Sequence, residues 1–245
     1  MNKIEKRNEN EGIYLLRLIY IGVYFLGWFV VHIPYIHTVK KKANKEKMLN
    51  EKLQKLVRKL LKLMGIQLNV TGKENIPDHE QVLFIANHES HLDPIVLYAC
   101  LNRVPYFVMK EEIRNIPIFR TWIKEIGHIY LKRGDRRSAV EVLQQMKKYL
   151  QEGKDVFIFP EGTITEGEKE LPFKPGSFRS AVDTETSVVP ITIKGTARLF
   201  EQQRYTLKSG TVEVIIHPKV ETIKGKWEHT QQLAVYVEKI VKDSL

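Results

Sequence analysis

Cysteine is almost missing from the chain. Cys100 stands alone among 245 residues, which excludes an internal disulfide framework and any cysteine-rich zinc site. A lone thiol suits a reducing compartment. Acidic residues are also scarce, 29 against 39 lysines and arginines, leaving a net charge of +10 and a pI near 9.5. Such an imbalance points to an anionic partner, which could be nucleic acid, a phospholipid surface or a phosphorylated substrate. There is no internal repeat, no low-complexity tract and no composition shift that would divide the C-terminal three quarters of the chain. Two catalytic signatures are absent as well. No G-x-S-x-G elbow offers a hydrolase-type serine, and His88-Glu-Ser-His91 is one residue short of the helical zinc spacing H-E-x-x-H. His88, His91 and Asp93 therefore make a poor metal set, and no metal is expected.

What the chain does have is an apolar fraction of 43%, enough for a core and too much for disorder. The length suits one sizeable domain with an appendage. From Leu18 to Ile36, nineteen residues pass without an acidic or basic side chain apart from neutral His32. That approaches the ~20 residues of a spanning helix, although Pro34 weakens its end and aromatics are scattered along it. The segment reads as a membrane anchor that either spans or lies in the interface. A cleavable signal is disfavoured, because no small-residue cleavage site follows. Next come ten positive residues (Lys40, Lys41, Lys42, Lys45, Lys47, Lys52, Lys55, Arg58, Lys59 and Lys62) against only Glu46 and Glu51, so this stretch holds +8 of the +10. Leu53, Leu56, Val57, Leu60, Leu61 and Met64 recur within it at helical spacing, predicting a basic amphipathic helix ended by Gly65. Its charged face could simply be solvated while its apolar side joins the core. Beside an apolar run, contact with anionic lipid headgroups is the sharper reading. Residues 1–65 are thus expected to be membrane-associating helices. If the first helix spans, the six lysines from 40 to 52 place the remainder at the cytoplasmic face of the cell membrane.

From Ile66 onward, predicted strands at Ile66–Thr71, Gln81–Ala86, Tyr106–Met109, His128–Lys132, Asp155–Phe159, Ser187–Ile193 and Thr211–His217 alternate with several helical stretches. Those stretches are Pro94–Asn102, Ile118–Ile126, Arg136–Glu152, Gly176–Val182 and Gln231–Leu245. This is the pattern of an α/β layered domain with a mostly parallel sheet, here over residues 66–245. The buried strand at 81–86 delivers His88, and parallel sheets bind ligands at that C-terminal rim. Asp93 before Pro94 reads equally well as a helix N-cap or as a carboxylate folded back onto His88. A neutral imidazole so oriented would accept a proton from an attacking hydroxyl at neutral pH. The strand at 155–159 runs into Glu161-Gly162-Thr163, and that at 128–132 into Arg133, so a base, a guanidinium and a Gly-Thr turn converge on one rim.

In family order, these blocks resemble the glycerolipid acyltransferase superfamily, most closely its bacterial 1-acylglycerol-3-phosphate acyltransferases. Asn87-His88 through Asp93 matches the family's NHx4D motif. Phe107–Glu111, Ile116-Pro117 and Gly127–Arg133 match its second block, Phe159–Thr163 its third and Val188-Val189-Pro190-Ile191 its fourth, while Leu171–Gly176 resembles its basic-glycine element. The resemblance implies acyl transfer without a cofactor from acyl-CoA or acyl-carrier protein to the sn-2 hydroxyl of lysophosphatidate. It makes His88 the general base and Asp93 its orienting partner. It makes Lys110, Arg133, Glu161, Gly162, Thr163 and Lys174 the glycerol-phosphate site. The family usually places arginine after the threonine of the third block, where this chain has Ile164. Glycerol 3-phosphate and other lysolipids therefore stay open as acceptors. A membrane-tethered module binding nucleic acid or other anions is the reading of another class. The charge left outside residues 40–62, only +2, argues against nucleic acid.

Overall fold

The computed structural model describes residues 3–116, 119–167, 170–223, 225–227 and 229–245, with residues 3–15 and 119 described in backbone only. Pro117 and Ile118, named in the second sequence block and at one helix start, lie outside these. All seven predicted strands form: β1 (Ile66–Thr71), β2 (Leu83–Ala86), β3 (Tyr106–Lys110), β4 (Ile129–Leu131), β5 (Val156–Ile158), β6 (Val188–Lys194) and β7 (Gly210–Ile216). They make one sheet in the order β1-β7-β6-β2-β5-β3-β4. Every pairing is parallel except β6 with β7. Five parallel strands thus carry a reversed β7–β1 wing.

The alternation along the strands divides the core in two. Phe84, Ala86, Phe157, Val189 and Ile191 pack on one face, under the layer formed by α3 (Lys45–Leu63), α4 (Asp93–Cys100) and α5 (Phe119–Ile126). Leu83, Ile85, Val156, Ile158 and Val188 face the other way, onto α6 (Arg136–Gln151), α7 (Arg179–Asp183) and α9 (Thr230–Lys242). All four β2 residues are buried, as a strand covered on both faces requires. β1 and β7 instead alternate buried and open positions, as a sheet covered on one face does. A short α8 (Thr196–Leu199) follows β6; it lay in no predicted element.

The N-terminal segment forms α1 (Lys3–Val31) and α2 (Ile33–Val39), separated at His32. Pro34, in the first turn of α2, lacks the N–H that would continue α1 and sets the break. Among the described residues, α1 is held to the rest of the chain through Arg17, Ile21, Trp28 and Phe29, with Ile21 buried in the main core. Near its middle, the Arg17 guanidinium donates to the Leu63 carbonyl (2.8 and 3.1 Å) and to the Ser209 hydroxyl (3.1 Å). Further on, Trp28 and Phe29 pack on Trp122 of α5 with ring centroids 4.9 and 5.7 Å apart. The opposite side of α1 exposes Leu16, Ile19, Tyr20, Val23, Leu26 and Val30, three or four residues apart. α3 buries Leu49, Leu53, Leu56, Val57, Leu60 and Leu61 in the main core. Its Lys55, Arg58, Lys59 and Lys62 are exposed.

Candidate active site

The site assembles at the C-terminal ends of β2, β5 and β6, which are neighbours and parallel. Past Ala86 the chain leaves the sheet, and the Asn87 amide ties it down. It donates to the Ile193 carbonyl and accepts the Ile193 N–H, both at 2.8 Å. His88 follows. Its Nδ1 lies 2.9 Å from Oδ2 of Asp93, a residue with no exposed surface. The same oxygen accepts the Glu89 and Ser90 N–H groups at 2.9 and 2.8 Å. The Asp93 side chain therefore reaches backward rather than capping the amides that follow in α4. Three donors on one carboxylate oxygen fix its direction. With Nδ1–H committed to Asp93, Nε2 carries the lone pair that can take a proton. The imidazole also stacks on Phe159, centroids 3.8 Å apart and planes 11° from parallel.

Carboxylates from other elements hold the loop from outside. Glu161, after β5, accepts the His88 N–H at 3.3 Å. Glu201 accepts the His91 N–H at 2.8 Å and faces His91 Nδ1 at 3.0 Å, so the second histidine of the motif is engaged away from the first. Thr165 donates its N–H and hydroxyl to the His88 carbonyl, at 2.9 and 3.2 Å. Glu161 is almost fully buried, and its Oε2 has no hydrogen-bond partner among the described residues. Burial raises its carboxyl pKa to about 7, opposed by the His88 N–H and Lys242 and assisted by Asp93 and Glu238. Gly162 sits at φ +74°, and a Cβ there would meet the Lys174 ammonium. The cation thus lies directly over the glycine turn.

The sequence-derived set consequently separates into two groups. His88, Asp93, Glu161, Gly162 and Lys174 come together, with Thr163 exposed at the same turn. Lys110 and Arg133 occupy the same rim on β3 and just past β4, two and three strands from β2. At ~4.8 Å per strand that is about 10 and 14 Å along the sheet. Both are exposed, and Lys110 pairs with Glu112 at 3.3 Å. Sequence reasoning missed Thr196, Glu89 and Glu201. Thr196 is fully buried, and its hydroxyl lies 2.5 Å from Asp93 Oδ1 and 2.8 Å from Glu89 Oε1. A threonine following a strand carries no local signal of such a role.

A histidine–carboxylate pair beside a cation-topped turn, on the rim of a parallel sheet, is the equipment of a group-transfer enzyme acting on a hydroxyl. Residues 67–194, more than half of the chain, match the Acyltransferase family model, and the chain belongs to that family. The 1-acyl-sn-glycerol-3-phosphate acyltransferase of Borreliella burgdorferi is 31% identical over 185 residues, covering 74% of this chain and 72% of its own. A chloroplastic 1-acyl-sn-glycerol-3-phosphate acyltransferase of Arabidopsis thaliana is 36% identical over 161 residues, 65% of this chain but 45% of the plant protein. The crystal structure of the 1-acyl-sn-glycerophosphate acyltransferase PlsC from Thermotoga maritima superimposes with a TM-score of 0.79. It is 28% identical and is matched across 97% of this chain and 95% of its own.

Proposed function

We propose that the chain is an O-acyltransferase that moves a fatty acyl group from acyl-CoA or acyl-carrier protein to the sn-2 hydroxyl of 1-acyl-glycerol-3-phosphate, giving phosphatidate. The observation that carries this reading is the 2.9 Å contact between His88 Nδ1 and a buried, triply donated Asp93 oxygen. Nε2 removes the acceptor hydroxyl proton as the oxygen attacks the thioester carbonyl carbon. The tetrahedral intermediate expels the thiolate, and the imidazolium returns the proton to the departing sulfur. Asp93 stabilises the imidazolium between these steps. A thioester is already activated, so no cofactor enters. The acceptor phosphate is gripped by Lys174 beside Gly162 and Thr163, with Glu161 on the crevice floor. Lys110 and Arg133 serve the outer rim, where an extended amphiphile reaches them. Ile164 supplies no cation, so the phosphate falls to these lysines and Arg133.

Residues 1–65 form the membrane-associating region and residues 66–245 the catalytic domain, at the cytoplasmic face of the cell membrane. A flat-lying α1 is supported by its fastenings at Arg17 and at Trp28–Phe29. By length and composition alone Leu16–Val39 is also long and apolar enough to cross a membrane, with the break at His32 inside it. The lone thiol of Cys100 and a thioester donor suit the cytoplasmic side. The deciding experiment offers the purified chain one acyl-CoA with lysophosphatidate, glycerol 3-phosphate or a lysophosphatidylcholine, beside the His88→Ala variant. Acylation of lysophosphatidate that disappears with His88 is expected. Preference for glycerol 3-phosphate, which Ile164 keeps in view, would reassign the acceptor. Transfer by His88→Ala at the wild-type rate would remove the general base.

A further inference from the structure

Thr196 has one hydroxyl proton and two carboxylates to give it to. Its Oγ1 lies 2.5 Å from Asp93 Oδ1 and 2.8 Å from Glu89 Oε1. The Thr196 hydroxyl is thus shared between the two carboxylates, closer to Asp93, and Glu89 Oε1 also accepts the Ala197 N–H at 3.2 Å. Burial and the neighbouring Asp93 charge push the Glu89 carboxyl above its usual range, partly offset by Thr196 and the Ala197 N–H.

We infer that Glu89 and Thr196 are positioning residues, a hydrogen-bonded chain in which the Thr196 hydroxyl joins Glu89 Oε1 to Asp93 Oδ1. The chain holds the free oxygen of the carboxylate while Oδ2 receives His88 and two amides. It restrains the basicity of His88 by drawing off part of the charge that the imidazolium would see. The groups facing it are His88 and Asp93 in the motif loop and Glu161 after β5, which itself lies against Lys242 and Glu238 of α9. The inference rests on His88 acting as the base, though not on which lipid accepts the acyl group.

The test uses the full chain in detergent micelles with one acyl-CoA and lysophosphatidate. It compares Thr196→Val with Thr196→Ser, and Glu89→Ala with Glu89→Gln. Thr196→Val should lower kcat about tenfold or more, since a hydrogen bond to a charged group is lost, with KM held within about twofold. Serine should restore the rate to within about threefold by returning the hydroxyl. Glu89→Ala should cost severalfold, and Gln, whose carbonyl oxygen can accept the same Thr196 hydroxyl and Ala197 N–H, should recover most of it. The imidazole NMR signal absent from His88→Ala should titrate at higher pH in Thr196→Val and return in Thr196→Ser. An unchanged kcat and titration in Thr196→Val, or failure of both Ser and Gln to restore their partners, would overturn the inference. Should Thr196→Val not fold, the Glu89 pair decides. A wild-type chain inert toward lysophosphatidate would instead refute the proposed acceptor, and the His88 titration, which needs no substrate, would still test this chain of bonds.

Discussion

His88 and Asp93 meet through Nδ1 and Oδ2 at 2.9 Å, and this single contact decides which imidazole nitrogen can act as a base. Loss of the imidazole should reduce acyl transfer by about 10²–10⁴-fold with no change in folding. Asp93→Asn should approach the same loss. An amide NH2 at Oδ2 would confront the His88, Glu89 and Ser90 donors, and one turned toward the Thr196 hydroxyl leaves a neutral oxygen that stabilises the imidazolium less. Initial rates with one acyl-CoA, beside far-ultraviolet circular dichroism, measure both variants.

Glu161 should make stability depend on pH. Its folded value of about 7 stands above the ordinary 4.5 because the carboxyl is buried. The folded chain therefore holds a proton between those values that the unfolded chain has released. The contribution is complete below about 4.5 and lost as pH rises through about 7, at most on the order of 3 kcal/mol. Glu161→Gln removes the ionisation, so its unfolding midpoint should gain on the wild type between pH 5 and pH 8. Parallel midpoints across that range would show that the carboxyl is not raised.

Gly162→Ala should cost stability and also move a cation. A left-handed backbone penalises alanine by about 1–2 kcal/mol, and the new methyl group must displace the flexible end of Lys174. The expected result is a midpoint lower by several degrees and a KM for lysophosphatidate that rises more than the KM for the donor. Equal changes in both constants would separate Lys174 from the acceptor.

The outward stripe of α1 predicts how the chain meets lipid. Val23→Asp combined with Leu26→Asp should abolish co-flotation with both neutral and phosphatidylglycerol vesicles, since each aliphatic side chain forfeits about 1.5–3 kcal/mol of burial. Replacing Lys55, Lys59 and Lys62 by glutamine should remove only the added affinity for anionic vesicles, about 1 kcal/mol per charge near the surface. Salt should weaken that component alone. Undiminished flotation of the doubly acidic variant would exclude α1 as the contact.

How far could the chain be read without its structure? β1 falls on the predicted residues, and β2 and β5 differ only at their ends, because fully buried aliphatic runs bounded by turn residues leave little freedom. His88 and Glu161 were visible since each lies just past such a run, and Asp93 since it stands before Pro94 at a helix start. The reversed β7–β1 wing was not visible, because strand direction depends on connections that periodicity does not encode. Thr196 and Glu201 were hidden for a related reason. Each acts on the motif loop across more than a hundred residues, and nothing in its immediate neighbours announces the partner. Pro34 was read only as weakening the end of the apolar run, and the break falls two residues before it, at His32. The apolar face of α3 joins the main core, while its lysines stay available at the surface.

Trp122 is wholly enclosed, and Trp28 and Phe29 supply part of that enclosure. A version clipped ahead of α3 to gain solubility would strip the cover from this indole and leave a raw hydrophobic scar on the catalytic body. Such a fragment should clump in aqueous buffer and lose its shape sooner on warming. Anchor and enzyme are welded along a shared seam, and any attempt to part them must first resurface it.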